Sequence, residues 1–148
     1  MPSFIEVVND LVSALQANTA LDTFCKEKWN KSLLIKKMFK YRTEIQITDL
    51  PIILVTRPQK LSKDFPIGNR EYEDTVRLYC GFHQPDRDIA QDEMIEFEEK
   101  IDDAVLEDRD RNGLVLDTNV TMTVTDEGYF HPVYFVVKEV TIETRKIY

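Results

Sequence analysis

Asp108, Asp110, Asn112 and Gly113 spell D-x-D-x-N-G, the opening of a calcium-binding loop, in which oxygen ligands alternate and a glycine permits the sharp turn. The bidentate carboxylate that closes such a loop would fall at Asn119, and Arg109 and Arg111 place positive charge between the would-be ligands. The stretch therefore reads as a helix stop before a strand. His83 and His131 are the only histidines, and neither has a second ligand-type residue at a usual metal spacing. His83, near Asp86 and Asp88, reads as a strand-end surface residue. There is no glycine-rich phosphate loop, no G-x-S-x-G and no H-E-x-x-H. Many carboxylates crowd one stretch, which is poor evidence for a tuned acid and base. No residue is assigned a catalytic, cofactor-binding or metal-binding role, and no enzyme activity or cofactor is expected.

The chemistry left is that of charge. From Asp86 to Asp110 there are twelve acidic residues against Arg87, Lys100 and Arg109, a balance of −9. Asp102, Asp103, Glu107 and Asp108 fall where a helix would end, and there each negative charge opposes the macrodipole by ~0.3–1 kcal/mol. Glu96 with Lys100 is the one good i,i+4 pair. From Lys26 to Lys63 ten basic residues face three acidic ones, a balance of +7. Either both surfaces are solvated and partly neutralise each other within one subunit, or the positive surface of one copy meets the negative surface of the next. On the second reading the interface residues are Lys36, Lys37, Lys40, Arg42 and Lys60 against Glu96, Asp103 and Glu107.

These charges need elements to hold them. Asp88 to Asn112 reads as one long helix, because Ala90, Met94, Phe97, Ile101, Ala104 and Val105 recur at steps of three and four and form one apolar stripe. Asp88 with Gln91 reads as its capping box, and Asn112 with Gly113 as its stop. Ser3 with Glu6 is a second capping box, opening a helix from Phe4 to Ala17. Asn18 and Thr19 break it, and Ala20 to Trp29 forms a short second helix. Lys31 to Gln46 is ambiguous and is read as an extended arm.

Leu50 to Thr56 is a short apolar run between prolines, hence a buried strand. Arg57 to Arg70 reads as a long loop. Glu71 to His83 alternates as a half-buried strand, with Tyr72, Val76, Leu78, Cys80 and Phe82 on one face. Leu114, Leu116, Val120, Met122 and Val124 share one parity on a third strand, and Asp126, Glu127 and Gly128 turn it into a fourth, Tyr129 to Lys146. In that last strand Val133, Phe135 and Val137 are odd but Val140 and Ile142 even, so a β-bulge or bend near Lys138 and Glu139 is expected.

A chain of 148 residues with 43% hydrophobic content suffices for one domain with a real core. The expectation is an α+β fold with a mixed or antiparallel sheet of about four strands, and one long and one or two shorter helices packed on one face. Residues 1–148 form a single domain: N-terminal helices over 1–29, a basic arm over 30–49, and a strand-strand-helix-strand-strand core over 50–148. The net charge of −8 and pI near 4.8 argue against a general nucleic-acid or anionic-membrane binder. Two cysteines, no signal-peptide pattern and no long apolar run fit a reduced, cytoplasmic origin with no disulfide between Cys25 and Cys80.

In layout the chain resembles the tail terminator proteins of long-tailed bacteriophages and prophages, small proteins of the head-to-tail neck. The likeness lies in an N-terminal helix, a basic connector, the L-P-x-I-x-V strand of Leu50 to Val55, the strand Tyr72 to Phe82, the acidic helix Ile89 to Asp108 and the closing hairpin Val115 to Ile142. It implies a structural protein made in the bacterial host cytoplasm and carried in the virion. It further implies a homo-oligomeric ring, commonly a hexamer, that caps the tail tube protein and offers a docking face to a head completion or connector protein. No family motif assigns that role to individual residues. A small cytoplasmic enzyme or ligand-binding domain is the competing reading.

Overall fold

Ser3 opens the chain's first helix, α1 (Phe4–Ala17), by accepting a hydrogen bond from the Glu6 amide at 3.3 Å. Val7, Val8, Leu11 and Leu15 are its buried face. Asn18 ends α1 and, through its side-chain oxygen on the Leu21 amide, begins α2 (Thr19–Trp29). Asn30, left-handed at φ 56°, stops α2. The computed structural model describes residues 3–38, 45–64, 69–111 and 113–147, with the backbone alone for 58–64, 69–70 and 145–147.

The acidic stretch forms α3 (Arg87–Leu106), shorter at its C-terminal end than its charge pattern suggests. Its cap is Asp86, whose carboxylate accepts from the Asp88 amide at 2.9 Å, and not Asp88 with Gln91. Beyond Leu106 the chain runs on through turns, with Arg111 left-handed at φ 49° and Gly113 at φ 82°. Ala90, Met94, Phe97, Ile101, Ala104 and Val105 are buried, as their spacing requires.

Five strands, not four, make a mixed sheet in the order β1-β2-β3-β5-β4. They are β1 (Leu34–Lys36), β2 (Ile52–Asp64), β3 (Asn69–His83), β4 (Asp117–Thr125) and β5 (Val133–Ile147). β1 pairs parallel to β2, and all other pairs are antiparallel. The extra strand comes from the basic arm, whose described residues also hold a 3-10 turn at Ile47–Asp49. β2 does not end at Thr56: it continues to Asp64 along most of what the prolines and glycine suggested was a loop. A bulge between Thr56 and Gln59 makes this possible, because it takes Pro58, which has no N–H, out of the ladder.

The helices cover one face of the sheet. There Ile53, Val55, Val76, Leu78, Cys80, Phe82, Val136, Val140 and Ile142 meet the buried stripes of the helices. Phe24, Trp29, Phe82, Phe97 and Tyr134 form a run of stacked and edge-on rings within this core, with centroids 4.6–6.1 Å apart. On the opposite face Leu50, Ile52 and Leu54 form a second, smaller cluster with Leu34, Ile45, Tyr79 and Val133.

The change of parity in β5 has a different cause from a bulge. β3 and β5 stay in register from Asn69↔Ile147 to His83↔Val133 without a shift. Tyr134, Val136, Lys138, Val140, Ile142 and Thr144 all face the helices, so the apparent break is one lysine on the core face. The irregularity lies instead in β4, between Val120 and Met122. It turns the following residues over, so that Met122 and Val124, expected inside, are 43% and 50% exposed. The β4–β5 connection is also longer than a tight turn, running through Asp126 to Pro132. Asp126 organises it by accepting from the amides of Gly128 and Phe135.

Candidate interaction surfaces

The charges that crowd the C-terminal end of α3 are largely offset within the chain. Lys138, fully buried, places its Nζ 2.7 Å from the Asp102 carboxylate and donates to Thr123 Oγ1 at 3.0 Å. Arg111, also fully buried, donates from its guanidinium to the Val105 carbonyl at 2.7 Å, putting a cation on the negative end of the helix dipole. Burial pulls the Arg111 pKa below its ordinary value, against the opposing pull of Asp108, Asp10, Asp110 and Glu107. Arg109 forms a two-pronged pair with Asp117, at 2.8 and 2.9 Å, and this lowers the Asp117 carboxyl and raises Arg109. The D-x-D-x-N-G stretch is therefore threaded with its own cations. Among the described residues no group of three His, Cys, Asp or Glu side chains is placed to hold a metal.

The residues proposed from sequence as interface contacts fall into three groups. Glu96 and Glu107 have partners inside the subunit: Glu96 pairs with Lys28 of α2 at 3.4 Å rather than with Lys100, and Glu107 accepts from the Asn18 amide group at 3.1 Å. Asp103 and Lys36 are exposed without a partner among the described residues, while Lys37 donates to Asn9 Oδ1 at 2.6 Å. Lys40 and Arg42 lie outside the described residues, as does the side chain of Lys60. The two charge patterns meet at the Lys28–Glu96 pair, but the basic arm itself stands apart from the acidic helix. α3 packs over β4 and β5, whereas the basic arm carries β1 at the opposite edge, beside α1.

A cleft of about 510 Å³ lies between α3 and the β4–β5 connection. Ala90, Met94 and Tyr134 are its buried floor; Gln91, Ile95 and Glu98 form the helix wall, and Thr125, Glu127 and Gly128 the other. Arg87 stands at its rim. The Tyr134 hydroxyl is hydrogen-bonded to Nδ1 of His131, and burial raises the Tyr134 pKa. Neither Glu98 nor Glu127 is in an ion pair among the described residues. Sequence reasoning missed this cleft because its two walls are thirty residues apart and meet only through the sheet; the one signal was the pair of exposed aromatics, Tyr129 and Phe130, beside the turn.

Both thiols are free and buried, and burial pushes Cys25 up to about 12 and Cys80 higher still. Among the described residues no helix is long and apolar enough to cross a membrane. No protein-family model and no curated protein matches this chain.

Proposed function

We propose that this protein is a structural component of a phage tail, a tail terminator that assembles as a ring on the end of the tail tube and docks it to the head. The observation that carries this reading is the placement of opposite charge at opposite edges of one sheet: the basic arm at β1 and the acidic α3 over β4 and β5. Two unlike surfaces on opposite sides of a subunit make a heterologous contact, which closes into a ring when the rotation per copy divides a full turn. The resemblance to those neck proteins rests on the element order, from capped N-terminal helix through basic connector to closing hairpin. The partners are then further copies of the chain, in a ring of six, the tail tube protein, and a head completion or connector protein; location is the virion.

Exposed ion pairs supply about 0–1 kcal/mol each, so apolar contact must provide most of the affinity while charge sets register and rate. Met122 and Val124, with Leu116 at 51% exposure, offer such surface along the β4 edge. Sedimentation in solution tests the reading. A stable species of several copies supports it. A monomer at every concentration, with a melting temperature raised by a small molecule, would instead make this a ligand-binding domain or enzyme.

A further inference from the structure

We infer that the cleft between α3 and the β4–β5 connection receives the end of β1 from a second copy, with the Met38 side chain on the apolar floor and Lys36 and Lys37 between the acidic walls. This rests on the ring reading above and names the contact that would build it. The cleft has a floor of Ala90, Met94 and Tyr134, with Ile95 44% exposed on its wall and carboxylates on both sides, Glu98 from the helix and Glu127 from the turn. Its complement is an unbranched apolar side chain preceded by ammonium groups. The chain carries that pattern in Lys36-Lys37-Met38, where Met38 is 38% exposed and Lys36 has no partner among the described residues.

A subunit cannot fill its own cleft in this way. β1 and β4 are the two edges of a five-stranded sheet, so four strand spacings, about 19 Å, separate them. The donor and the acceptor are therefore on opposite sides of one molecule, and each copy has one of each to offer. Such a contact repeats from copy to copy, which gives a ring or an open helical filament. Arg87 at the rim, the one cation lining the cleft among the described residues, favours entry of the basic segment from the Glu98 and Glu127 side.

The test uses the full chain with a photo-crosslinking amino acid in place of Ile95, a half-exposed position on the helix wall of the cleft. Irradiation should give a covalent dimer joined from position 95 to residues 36–38 of the other copy, as mapped by mass spectrometry. The double variant Glu98→Lys with Glu127→Lys, its folding checked by circular dichroism, should weaken self-association about tenfold or more at low salt, with added salt narrowing the difference. Mixing it with Lys36→Glu/Lys37→Glu should restore association. Rings that form with no cross-link to 36–38, or a double variant that assembles like the wild type, overturn this contact and leave the ring reading intact. The mapped cross-link in a species that stays a dimer keeps the contact and overturns the ring; a monomer without cross-links overturns both.

Discussion

Lys138 is the residue whose chemistry most shapes the core without looking like a core residue. Its ammonium is held by Asp102 and Thr123 while its stem fills space between sheet and helix. Replacing Asp102 by Ala leaves that buried charge unpaired and should cost about 3–5 kcal/mol, whereas Lys138→Met, which keeps the stem and removes the charge, should cost clearly less. Urea unfolding of the two variants checks the order. Gly81 is constrained differently: a Cβ there would meet the Phe135 ring at 2.7 Å, so Gly81→Ala should lose about 1–3 kcal/mol in the same measurement. The lowered carboxyls of Asp22, held by Lys26, and Asp117, held by Arg109, add stability that is fully present above the ordinary value of 3.8 and lost as pH falls through their lower folded values. Asp22→Asn and Asp117→Asn should each lower stability above about pH 4, with the difference from the wild type narrowing as pH falls below it. Lys138 was visible in the sequence only as a change of parity. Since bulges are a common cause of such a change and fully buried lysines are rare, the wrong one of two physical causes looked the simpler.

Among the elements, those whose signals are local were legible. Ser3 with Glu6 marked the start of α1, Asn18 the break before α2, and the Ala90-to-Val105 stripe the buried face of α3. Phe97 lies where that stripe meets the aromatic run, in contact with Phe24, Trp29 and Phe82, so Phe97→Ala should lower stability by about 3–5 kcal/mol. An unchanged melting temperature would show that α3 is not the centre of the core. Non-local elements were harder to see. β1 is three residues long and exists only because β2 offers it an edge, and the continuation of β2 past Pro58 depends on β3 as a template. Cys25 and Cys80 sit on α2 and β3 inside the closed core, so neither should react with a thiol reagent at neutral pH until the fold is opened. Denaturation without reductant should then release two titratable thiols; finding none would mean a disulfide.

For the whole molecule, the α+β class and the helices on one face followed from pattern, while the cleft and the placement of the two charge patterns at opposite edges needed the strand order. That order, β1-β2-β3-β5-β4, is what turns a charge imbalance along the chain into two unlike surfaces on opposite sides of a subunit. Part of the expected driving force is already satisfied inside the subunit, since Lys138, Arg111 and Asn18 answer the charges at the end of α3. Self-association should accordingly depend on apolar contact with a moderate salt dependence. Reversing Lys36, Lys37 and Lys40 to Glu together should slow assembly at low salt, and less so as salt rises. The central claim is that copies of this chain close into a ring, and electron microscopy of the purified wild type tests it most directly. The account predicts particles with a central opening and a fixed rotational symmetry, whereas single subunits or open filaments at every concentration and ionic strength would contradict it.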